Sequence, residues 1–199
     1  MKKSLIVILV IVGIVLLLVL SLSGRYNKLV TQEETVTAAW SQVENVYQRR
    51  ADLIPNLVNT VKGYADFEKG TLTAVIEARA KATSTTIDPG NLSEASLEQF
   101  QQAQQGLGSA LSRLMVVIER YPDLKANQNF LDLQAQLEGT ENRIAVERRA
   151  FNETAQAYNT TIRRFPDNII AGLFGFDKKA YFKSDTGAEN APEVNFEMN

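Results

Sequence analysis

The sequence predicts an all-α fold: an N-terminal transmembrane helix continuing into an elongated bundle of three long antiparallel helices, with short helical pieces at the C-terminal end. Three observations predict it. Residues 4–24 carry no charge and read as an unbroken apolar run, from which a helix is expected to cross the bilayer. Beyond them, apolar residues recur at alternating intervals of three and four, the spacing of a helix packed lengthwise on others. No stretch of useful length shows the period-two alternation of a half-buried strand.

The first element is the anchor. About 20 apolar residues rising 1.5 Å each match a hydrocarbon core of roughly 30 Å. A soluble core helix would keep a polar face, and this run has none. A cleaved signal peptide would have a shorter apolar region of about 7–15 residues and a clearer cleavage site than Ser21-Leu22-Ser23. Residues 1–3 are a short basic N-terminus. Lys2 and Lys3 lie on one side of the run and Arg25 and Lys28 on the other, so charge asymmetry sets the topology only weakly. The expected location is a bacterial cell membrane, single-pass, with the domain on the extracytoplasmic side.

The bundle domain is expected over residues 25–182. A first helix, over about 26–84, carries the seam Val36, Trp40, Val43, Tyr47, Arg50, Ile54, Leu57, Val61, Tyr64, Glu68, with a kink expected just before Pro55. The run Asp88-Pro89-Gly90-Asn91 makes a turn, and Ser93 caps a second helix over about 93–120. Its seam is Leu97, Phe100, Gln104, Leu107, Leu111, Leu114, Ile118. Gly106 and Gly108 on it suggest close helix approach. Tyr121-Pro122 stops this helix. A third, over about 123–165, carries Phe130, Leu133, Leu137, Thr140, Ile144, Glu147, Phe151, Thr154, Tyr158, Thr161 and Phe165. Three passes would put the apolar segment 166–182 at the tip far from the bilayer, with residue 84 up to about 90 Å out. Residues 183–199, acidic with Gly and Pro, read as a disordered tail.

Composition narrows the function. There is no Cys and no His, which removes disulfides, thiolate chemistry, the commonest general base and the commonest transition-metal ligand. The formal charge is −2, and −4 once Lys2 and Lys3 are set aside, so a phosphate-binding surface for nucleic acid is not expected. Glu138, Glu141 and Glu147 lack the His that helical di-metal sites use. No catalytic residue, cofactor or metal is assigned, and the protein is not read as an enzyme.

The candidate sites are structural or interactive. Arg50, Glu68 and Glu147 fall on apolar seams, where buried Arg–Glu pairs would set helix register, since an unpaired buried charge is costly. Ile169, Ile170, Leu173, Phe174 and Phe176 form an apolar segment expected either to cap the open end of the core or to contact a partner. Asn27, Asn56, Asn142, Asn152, Asn159 and Asn168 are read chiefly as caps and exposed residues.

Several runs together resemble the LemA family. They are Tyr26-Asn27-x-Leu29-Val30, Trp40-x-x-Val43, QRRADLIPNLVNTVKGYADFEKGTL from Gln48, Ala78-Arg79-Ala80, ERYPDLKANQNFLDLQAQLEGTENRIAVERRAFNETAQAYN from Glu119, and FPDNIIAGLFGF from Phe165. The resemblance covers nearly the whole chain. It implies a membrane-anchored helical bundle, and roles in membrane organisation or association with membrane proteases. Some relatives look like lipoproteins with a Cys just before the Gly-Tyr-Asn stretch. Here Ser23-Gly24-Arg25-Tyr26 offers none, so the apolar helix must do the anchoring. The function expected is that of a non-enzymatic scaffold attached to the lipid bilayer through residues 4–24. It would be a homo-oligomer or membrane-organising module; the alternative is an adaptor or regulator of a membrane enzyme such as a protease.

Overall fold

The computed structural model describes residues 2–63 and 68–183. It is helical, with α1 Lys2–Lys62, α2 Lys69–Ser84, α3 Glu94–Ile118, α4 Pro122–Lys125, α5 Gln128–Arg163 and α6 Asp167–Phe174. A single 3-10 turn, Pro89–Asn91, lies between α2 and α3, and no strand occurs among the described residues. The expected tail beyond Lys183 lies outside the described residues.

α1 is one helix of 61 residues, anchor and first bundle helix in a single piece. From Leu5 to Leu22 the described large apolar side chains are about half or more exposed. It is long and apolar enough to cross a membrane. Beyond it the predicted seam is the observed one: Val36, Trp40, Val43, Ile54, Leu57 and Val61 are sealed from solvent, and Tyr47 and Arg50 nearly so.

The helix expected over 26–84 is two helices. α1 ends at Lys62 and α2 begins at Lys69, so Tyr64 lies outside the described residues and Glu68 stands at the N-terminal edge of α2. Gly63 and Gly70 each cost a helix about 1 kcal/mol. Folding back lets Leu72, Val75 and Ala82 be buried, which a single rod would leave in water.

That extra reversal changes the geometry of the whole domain. There are four long passes, not three. α1 packs along α5, and α2 packs along α3. The outer part of α1, from Ile54 to Val61, shares a core with α2, the second half of α3 and the start of α5. The inner part, from Leu29 to Tyr47, shares another with Ile144, Phe151, Tyr158 and Ile162 of α5. The α5 C-terminus and α6 therefore lie at the anchor end, and residues 176–183 run back along the inner half, contrary to the expectation that 166–182 sits at the far tip. The bundle portion of α1, from Arg25 on, is about 57 Å long, not 90 Å.

Local expectations fare differently. α1 runs through Pro55. Proline has no N–H for the carbonyl four residues back, and that carbonyl, Ala51 O, instead accepts from Arg79 Nε at 2.7 Å. Ser93 caps α3, its hydroxyl accepting from Ser96 N while Ser96 Oγ accepts from Ser93 N. The glycines at 106 and 108 face open space, so they do not mediate close packing. On α5 Phe151 and Tyr158 are buried as expected, but the stripe moves from the predicted Thr154, Thr161 and Phe165 to Ala155, Asn159 and Ile162. A straight helix drifts about 20° per heptad against a 3.5-residue repeat, and five heptads shift the stripe by a residue.

Candidate functional site: a central polar layer and a membrane-proximal floor

Between the two hydrophobic clusters the seam carries a charge. Arg50 is 4% exposed. Its Nη1 donates to Glu141 Oε2 at 2.8 Å, and its Nη2 to Gln104 Oε1 at 2.8 Å and to the Gln104 carbonyl at 3.2 Å. The guanidinium also lies over the Tyr47 ring, 5.1 Å from its centroid. Gln104 Nε2 reaches the carbonyl of Ala82, so one layer ties α1, α2, α3 and α5 together. Such a network fixes helix register, because sliding any helix by a turn would strand a buried guanidinium.

Arg50 is paired as expected of a buried charge, but with partners other than those expected. Glu68 is exposed and pairs with Arg120 at 3.4 Å. Glu147 is half-buried, and the carboxylate on Arg50 is Glu141, six residues earlier on α5. Gln104 was visible as a polar residue on the α3 seam; its pairing with Arg50 was not.

The second arrangement had weaker sequence signals. After α6 the chain runs back across the bundle as a strap, residues 176–183. Asn159 clasps its backbone: Nδ2 donates to Lys179 O at 2.8 Å, and Oδ1 accepts from Lys179 N at 2.9 Å. Asn152, one heptad earlier, does the same to Phe182 at 3.0 and 2.9 Å. These asparagines imitate a neighbouring strand, and their seven-residue spacing was the only hint. Leu92 O accepts from Ala180 N on the strap's other side. Phe182 then joins Trp40 and Phe151 in an aromatic cluster with Phe100 and Tyr47.

Lys179, only 3% exposed, is a buried cation that the sequence did not signal. Its Nζ lies 2.7 Å from Glu33 Oε1 and donates to Gly90 O at 3.2 Å. The Tyr158 ring lies 5.8 Å away. Burial, with Glu33 and Asp177 adding, pushes the Tyr158 phenol well above its ordinary range, so it stays protonated.

The apolar segment is split between two roles. Ile170 and Ala171 are buried in the inner cluster, and Phe176 packs against it. Ile169, Leu173 and Phe174 are exposed at 59%, 75% and 56%. α6 ends at Gly175, whose φ of 77° is the left-handed conformation that closes a helix. Its position is set from α1: Arg25 Nη1 donates to Asp167 Oδ1 at 2.8 Å, and the Tyr26 ring meets Phe174 at 4.9 Å and Phe176 at 5.6 Å. The segment is the floor of the bundle, beside the point where the anchor enters.

Among the described residues no group of three or more Asp, Glu, His or Cys could hold a metal ion.

Known proteins share this plan in sequence. The chain is 30% identical over 178 residues to magnetosome protein MamQ 2 of Paramagnetospirillum magneticum (strain ATCC 700264 / AMB-1), over 80% of this chain and 65% of that protein. It is 29% identical to magnetosome protein MamQ of Magnetospirillum gryphiswaldense (strain DSM 6361 / JCM 21280 / NBRC 15271 / MSR-1), over 79% and 64%. It is 25% identical to protein LemA of Metamycoplasma hominis (strain ATCC 23114 / DSM 25592 / NBRC 14850 / NCTC 10111 / PG21), over 81% and 70%. The matched region thus spans just under two thirds of the MamQ relatives. These similarities and the apolar N-terminal helix support a place in a bacterial membrane. The LemA family profile matches residues 39–196, most of the bundle and beyond, and the chain belongs to the LemA family.

Proposed function

We propose that this protein is a non-enzymatic membrane scaffold, whose copies associate to organise the bilayer or the proteins around it. The observation that carries the reading is the continuity of α1. One helix of 61 residues is both anchor and central bundle member, so the domain stands on the membrane in a fixed orientation with no linker. An enzyme tethered to a bilayer gains from a flexible linker that lets it search, whereas a scaffold gains from presenting the same faces to every neighbour. The Arg50 layer supports this reading by locking the faces in register.

Crosslinking in native membranes, with particle sizing of the detergent-extracted protein, tests it. Self-crosslinks and particles larger than one chain are expected. A distinct membrane protein as the dominant crosslinked product would replace self-association with the adaptor reading. Monomeric particles without crosslinks would overturn both.

A further inference from the structure

Phe165 in the turn before α6, and Ile169 and Leu173 four apart in one stripe on α6, are large apolar side chains. They are 81%, 59% and 75% exposed, an unusual cost for side chains of this size in water. The opposite side of α6 holds Asp167, Ile170 and Ala171, all buried. The core that Ile170 and Ala171 join runs outward from Leu29, and the stripe lies on the face turned away from it.

The height of the stripe says what covers it. α6 is pinned to α1 at Arg25 and Tyr26, through Asp167 and Phe174. Tyr26 is four residues beyond Leu22, the last large apolar residue of the anchor, a rise of about 6 Å. The headgroup zone of one leaflet is about 5–7 Å deep. The bundle's own contacts therefore hold α6 at headgroup depth. Around it Lys28, Arg163 and Arg164 are exposed, cations near the level of lipid phosphates.

We propose that α6 is an interfacial foot. Its stripe of Ile169 and Leu173, with Phe165 in the turn before it, enters the headgroup–acyl boundary of the leaflet from which α1 emerges, and the surrounding cations meet the phosphates. The protein then touches the bilayer twice, once through it and once along it. This contact needs the anchor but not self-association, so the two proposals fail separately.

The absence of cysteine makes a direct test possible. Ile169→Cys, Leu173→Cys and, as a control on α3, Val116→Cys are made singly in the full chain. Each is nitroxide-labelled and reconstituted in vesicles of phosphatidylethanolamine and phosphatidylglycerol. At 169 and 173, oxygen should relax the label several-fold more than a water-soluble nickel complex does, at a depth of about 5 Å or more below the phosphates. At 116, 72% exposed and in the outer part of the bundle, the nickel complex should dominate. Water-type accessibility at 169 and 173 would overturn the proposal. So would protection that disappears when protein is diluted in lipid, since the stripe would then be covered by a second copy.

Discussion

The two halves of the bundle are built differently, although α1 and α5 run through both. The outer half is four helices deep, and its core is largely aliphatic: Ile54, Leu57, Leu107, Leu114, Leu124 and Leu133 among others. The inner half has the same α1 and α5 but little of the α2–α3 hairpin. α3 has 25 residues and α5 has 36, so at 1.5 Å per residue the hairpin falls roughly 16 Å short of the α5 end. The space it leaves is filled by the strap, by the 85–92 connection and by aromatic rings. A helix satisfies its own backbone and can dock by apolar packing alone. The strap cannot, and needs asparagine clasps and a buried lysine to supply the partners it lacks. The inner half is thus the more polar and the more easily undone by a single change.

The largest expected effect lies at the border. Arg50→Glu places a second carboxylate against Glu141 in a buried layer, and should cost about 3–5 kcal/mol in thermal or denaturant unfolding followed by circular dichroism. Adding Glu141→Arg should recover part of that loss. An Arg50→Glu protein as stable as the parent would show that the layer does not join the halves.

A smaller effect separates them. Asn159→Ala removes hydrogen bonds to Lys179 N, Lys179 O and the Tyr181 hydroxyl, and should cost about 2–3 kcal/mol. Hydrogen exchange should quicken at Trp40, Phe151 and Ala180, and stay slow at Leu57, Val75 and Leu114. Equal quickening in both halves would mean that they unfold as one unit and that the contrast has no energetic content.

The smallest concerns Glu44, in the inner part of α1. Burial raises its carboxyl above the ordinary value. A raised carboxylate pKa penalises the folded state above the folded-state pKa, and the penalty fades as pH falls through that value. Glu44→Gln should therefore raise Tm slightly at neutral pH. The gain should vanish below the unfolded-state pKa near 4.5. A gain that persisted in acid would assign it to packing instead of charge.

How much of this was legible follows the same division. Helix seams announce themselves because burial repeats with the helix period, and from Val36 to Val61 every expected position is buried. The fold-back of α2 onto α1 was hidden, because isolated glycines among good helix formers read as tolerable interruptions, and only tertiary burial of Leu72 and Val75 decides the matter. Missing it misplaced the C-terminal segment by the full length of the bundle. The strap was hidden for another reason. Its stability comes from Asn152 and Asn159, 30 and 20 residues away in sequence, and an amide side chain looks the same whether it faces water or a backbone. Arg50 drew notice as a charge out of place, whereas Lys179 sat in a run that already looked polar.

The unbroken α1 also has a mechanical side. Transmembrane helices commonly tilt by about 20°, and more where the bilayer is thin. With no hinge at the surface, a 10° change in tilt would swing the outer end of a 57 Å lever by about 10 Å. The angle at which lipid holds some twenty residues thus becomes a displacement at the far end of the bundle.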